Sequence, residues 1–140
     1  MKCFSVPRHL YTMVTSCSLL LLSACATTAR TENVIEERAM ARWETLLSGD
    51  LAAAWEYLSP GYRSSVSSEQ YRQSVVIKQV KWTGARYIES DCIETTCKVK
   101  ISIDYTLHGA IPGVQSFTGT QAIEESWLLV DGKWYLVPKQ

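Results

Sequence analysis

From Val34 onward, apolar residues recur with helical spacing: Ile35, Ala39, Trp43, Leu46 and Leu47 fall on one face of a helix. Asn33, with Glu36 three residues later, is a capping pattern and predicts that the helix opens there. Gly49 ends it, and Asp50 caps a second helix carrying Leu51, Ala54, Trp55 and Leu58. Ser59-Pro60-Gly61 is expected to stop that helix. Ser67 followed by Gln70 opens a third short segment, Ser68 to Val76.

From Gln79 the period changes to two. Cys97, Val99, Ile101, Ile103, Tyr105 and Leu107 alternate with Lys98, Lys100, Ser102, Asp104, Thr106 and His108, which predicts a long half-buried antiparallel strand. Val80 to Ser90 is its partner, with a bulge at Gly84 that leaves the facing beyond it undetermined. Asp131-Gly132 is a two-residue hairpin turn joining Ser116–Val130 to Lys133–Val137. Counting back from that turn sets Leu129 opposite Trp134 and Trp127 opposite Leu136, all on one face. Helices first and a strand meander afterwards predict an α+β fold.

The N-terminal residues carry a different signal. Lys2, Arg8 and His9 precede an uncharged apolar run, Met13 to Leu22, too short to span a bilayer permanently. The run ends in Leu22-Ser23-Ala24-Cys25, which resembles the lipobox of bacterial lipoproteins. The resemblance implies a signal peptide over residues 1–24, removal of that leader, and acyl chains on Cys25. Each buried methylene contributes about 0.8 kcal/mol, so two or three chains anchor stably where one does not. Ala26, rather than Asp, after that Cys implies transfer to the outer membrane, with the protein facing the periplasm; with a single membrane it would be the outer face. Residues 25–33 form a lipidated Cys and a small, polar tether ahead of a domain over residues 34–140.

Composition narrows the remainder. The chain has 140 residues, 14 basic and 14 acidic, and no basic cluster, which argues against nucleic acid as a partner. After processing, only Cys92 and Cys97 remain free, bracketing Ile93-Glu94-Thr95-Thr96 between two strand-like runs. An isolated pair outside the cytoplasm at that spacing suits a cross-hairpin disulfide. The rival, a metal site with His108 as third ligand, matches no common zinc spacing, and CxxxxC is not the CxxC redox motif. No metal or cofactor is expected.

The layout Trp43…Leu47-Ser48-Gly49-Asp50…Trp55…Leu58-Ser59-Pro60, followed by strands ending Trp127-Leu128-Leu129-Val130-Asp131-Gly132-Lys133-Trp134, resembles the NTF2-like (SnoaL/ketosteroid-isomerase) superfamily. The resemblance spans Val34 to Val137 and implies N-terminal helices on a curved antiparallel sheet of about four strands, enclosing a conical cavity. The superfamily contains enzymes and noncatalytic modules alike, so it does not deliver a function.

The alternation places Gln121, Ile123, Glu125, Trp127 and Leu129 on the inward face of the third strand. Glu125 among apolar neighbours would be desolvated and its pKa raised, which motivates an enzyme reading with Glu125 as base and Tyr57 or Tyr62 as donor. The competing reading leaves Glu125 at the sheet end, in solvent or paired with a Lys or Arg. Asp104 and His108 stand about 13 Å apart along one strand and cannot share a proton. Trp43, Trp55, Trp82, Trp127 and Trp134 fall on inward faces and either form the core or line an apolar pocket, with Tyr57, Tyr62 and Glu125, for a lipid-like or aromatic ligand. The leading expectation is therefore a membrane-anchored, noncatalytic module that binds an envelope protein or a small apolar ligand. An isomerase- or dehydratase-type enzyme using Glu125 is the alternative.

Overall fold

The structure is a computed structural model, and it describes residues 21–76, 80–111 and 114–139. The predicted leader therefore lies almost wholly outside the described residues. The chain divides into a unit ending at Thr31 and a unit Glu32–Gln140, and the second carries all that follows. No described helix is long and apolar enough to cross a membrane.

Helix α1 (Leu21–Ser48) begins upstream of Asn33, so Asn33 is an interior helical residue and residues 25–33 are helical where a tether was expected. Its stripe behaves as the spacing demands. Ile35, Ala39, Trp43 and Leu46 are buried, while Leu47, at the edge of the stripe, is 38% exposed. The helix closes with a Schellman motif: Gly49 adopts φ +79°, its N–H donates to Leu46 O, and Asp50 N–H donates to Thr45 O. Asp50 then accepts from Ala53 N–H and caps α2 (Leu51–Trp55). Ser59-Pro60 does not simply stop the helical run. Ser59 caps α3 (Pro60–Ser65), with Pro60 in the first turn, where its missing N–H costs nothing. Ser67 and Gln70 exchange reciprocal hydrogen bonds of 2.8 and 3.2 Å and open α4 (Ser68–Val76).

Strands β1 (Val80–Ile93), β2 (Thr96–Ile111), β3 (Val114–Val130) and β4 (Lys133–Val137) form one antiparallel meander in sequence order. The β3–β4 register pairs Trp127 with Leu136 and Leu129 with Trp134, as the turn dictates; Asp131 and Gly132 both have positive φ. On β1 a bulge falls between Trp82 and Gly84, and a second, which no glycine announces, between Tyr87 and Glu89. Together they bring Trp82, Ala85, Tyr87, Ser90 and Cys92 opposite the inward residues of β2. The free edge of β4 is partly covered by the α2–α3 connection, where Ser59 N–H donates to Leu136 O and Leu136 N–H to Tyr57 O.

The expected architecture, N-terminal helices over an NTF2-like cone, needs correction. Helices and an antiparallel sheet coexist, which is compatible with α+β in overall content, but sheet dominates. Within the unit Glu32–Gln140, β1, β2 and β3 have 14, 16 and 17 residues, against 5, 6 and 9 for α2, α3 and α4, and α1 is the one long helix. Burial marks how far the helical cover reaches. Cys97, Val99, Ile101 and Ile103 of β2 are buried, but Tyr105 and Leu107 farther along the same face are only half-buried, and Gln121 and Phe117 of β3 are exposed. The helices do not cover the whole ribbon, and beyond Ile103 it is held by backbone pairing and by the outer-face ion pair Arg86–Asp104.

Candidate functional site

Cys92 and Cys97 face each other across the β1–β2 hairpin and are joined in a disulfide, with Cα atoms 4.0 Å apart. Both thiols are consumed, and among the described residues no group of three His, Cys, Asp or Glu side chains could hold a metal ion.

Glu125 points into the core from β3 and is 7% exposed. Its Oε1 accepts from Arg42 Nη1 at 2.8 Å and from Trp43 Nε1 at 3.0 Å, and its Oε2 accepts from Trp127 Nε1 at 3.1 Å. Adjacent residues of α1 thus approach one oxygen, while the strand residue two places on serves the other. Burial pushes the Glu125 carboxyl above its ordinary value, opposed by the Arg42 charge and by the three hydrogen bonds. The arrangement combines the two readings made of this residue: Glu125 is desolvated, and it is paired with an arginine.

Beside this carboxylate lies a cleft of about 400 Å³, within the range of small-ligand sites. Its aromatic and aliphatic wall is Trp43, Leu46, Leu58, Tyr62, Tyr71 and Trp82, and Arg42, Glu125 and Lys139 supply charge. Trp43 and Trp82 meet edge to face, with ring centres 5.7 Å apart, so two elements fix the wall together. Of the residues expected to line a pocket, Trp43, Tyr62, Trp82 and Glu125 do so. Trp55, Tyr57 and Trp127 do not. Trp55 donates its indole N–H to Val66 O, Tyr57 lies under the Arg38 guanidinium at 3.9 Å, and Trp127 is sealed in the core. Tyr57 is therefore no proton donor to Glu125.

Arg42 was not foreseen as part of the site. Its signal was present: it stands seven residues after Ile35, inside the apolar stripe, where a charge requires a buried partner. Nothing local identified Glu125 as that partner. Tyr71 was equally invisible, because α4 is too short to show a stripe of its own.

No protein-family model matches the chain, and no curated protein does. In fold the chain is similar to the solution structure of a SEC-C motif containing protein from Rhodopseudomonas palustris. The TM-score is 0.56 at 13% identity, covering 72% of this chain and 73% of that one. At that identity the likeness concerns the fold alone.

Proposed function

We propose that this chain is a membrane-anchored, noncatalytic module of the cell envelope whose cleft binds a small apolar ligand. The carrying observation is the aromatic-walled cleft beside a carboxylate whose two oxygens already accept from three donors. Three of the roughly four lone-pair sites of this carboxylate are taken, and those bonds hold Arg42, Trp43 and Trp127 in place. Anchoring rests on Leu22-Ser23-Ala24-Cys25: acyl chains on Cys25 would hold the protein on a lipid surface, with Ala26 directing it to an outer membrane and the body facing the periplasm.

Two measurements test the reading. Radiolabelled palmitate should be incorporated into the protein and lost with Cys25→Ser; unlabelled wild-type protein ends the anchoring half. N-phenyl-1-naphthylamine, a neutral aromatic probe, should brighten on binding and lose affinity in Trp82→Ala; a probe that stays dark ends the ligand half. The isomerase- or dehydratase-type alternative is supported by the upward push on Glu125. It requires Glu125→Gln to abolish turnover of a substrate.

A further inference from the structure

We infer that the ligand of this cleft is an amphiphile with one acidic head group, its head on Arg42 and its tail along the wall of Trp43, Tyr62 and Trp82. This rests on the ligand-binding reading above and names the ligand's chemical class. The first observation is the guanidinium itself. Arg42 lines the cleft with its side chain 9% exposed. A guanidinium has five N–H donors, yet among the described residues only Nη1 has an acceptor, and Nε is buried with none. Folded proteins pair almost all buried donors, and the planar fork of an arginine matches the two oxygens of a carboxylate. Nη1 is held by Glu125 and Nε is sealed from the cleft, as Arg63 Nε is sealed in its own surroundings, so Nη2 is the donor of Arg42 left for an anion.

The second observation is the distribution of charge around the cleft. Four charged side chains line it: Arg42, Lys139, Glu124 and Glu125. Lys98 engages Glu124 at 3.1 Å, and Glu125 is satisfied by its three donors. Lys139, exposed, makes no ion pair among the described residues. The four lining charges sum to zero, and with Glu124 engaged by Lys98 the positive group left over at the cleft is Lys139. Apart from Ser74 and Ser126, the remaining wall is aromatic and aliphatic, which suits an apolar tail.

The test uses the full chain carrying Cys25→Ser and three ten-carbon probes that differ only in the head: decanoate, decanol and decyltrimethylammonium. Calorimetric titration should give decanoate an affinity about tenfold above decanol, with the cation weakest. Glu125→Gln, which removes the competing anion, should raise the ratio of decanoate to decanol affinity several-fold. Arg42→Gln combined with Glu125→Gln strands no buried charge and should bring decanoate down to the affinity of decanol. Equal affinity for all three probes in the wild type, or a decanoate preference that survives in the double variant, overturns the acidic-head inference and leaves the ligand-binding reading standing. No binding of any probe overturns both.

Discussion

Arg42 and Glu125, 83 positions apart in the chain, form an ion pair 2.8 Å long in which neither side chain is more than a tenth exposed. It ties the main helix to the third strand. A buried pair adds little net stability over a well-packed apolar substitute, but breaking one side strands a charge in the core. Arg42→Met should therefore cost about 3–5 kcal/mol in urea unfolding. Arg42→Met with Glu125→Gln should cost markedly less, because no ion is left behind. Equal losses in the two variants would show that the effect is lost packing rather than a stranded charge.

The acid limb of stability should come from the outer carboxylates. The Arg72 hydrogen bond holds Glu69 at about 2 against an ordinary 4.5, and the Arg86 hydrogen bond, with help from Thr120, holds Asp104 at about 2 against 3.8. A carboxyl lowered in the folded state contributes stability above its unfolded value and loses it as pH falls through the folded one. Thermal unfolding followed from pH 5 to about 2 should therefore show a decline that Asp104→Asn flattens below pH 3.8. Both groups are exposed, so the decline should shrink in high salt.

Glu125 carries the opposite sign. Its carboxyl is raised in the folded state, so its ionisation weakens the fold as pH rises above the ordinary value of 4.5. Glu125→Gln should flatten that part of the melting profile and leave the acid limb untouched. A variant that steepens the loss below pH 4 would reverse the assignment.

The disulfide closes a very short loop. The chain-entropy formula for Cys92 and Cys97 suggests about 2 kcal/mol. Cys92→Ala with Cys97→Ala should lower the unfolding free energy by about that amount, with the same transition on adding dithiothreitol to wild type. Because Cys97 is sealed in the core, alanine is the fitting replacement.

At Gly84 the side chain of Asp104 fills the space a Cβ would take. A Cβ there would sit 2.8 Å from Asp104 Oδ2, an atom already held by Arg86. Gly84→Ala should cost about 1–3 kcal/mol by forcing that pair apart. Asp104→Ala in the same background should recover part of it; no recovery would place the strain in the bulge itself.

What could be determined from the amino-acid order alone is what neighbours within a few residues decide. The Gly49 stop, the Asp50 cap, the Ser67–Gln70 box and the Asp131-Gly132 turn each satisfy or reverse the backbone over one turn, so their chemistry is local. Period-two alternation from Cys97 to Leu107 then carried the inward face correctly along β2, and counting from the turn placed Glu125 and Trp127 on the core side. The second bulge, the start of α3 at Pro60, the reach of the sheet beyond its helices and the union of Arg42 with Glu125 were settled only in three dimensions. Each depends on which distant surface removes a group from water or supplies its missing partner. An arginine in an apolar stripe announces that it needs an anion, but only the folded sheet says which one.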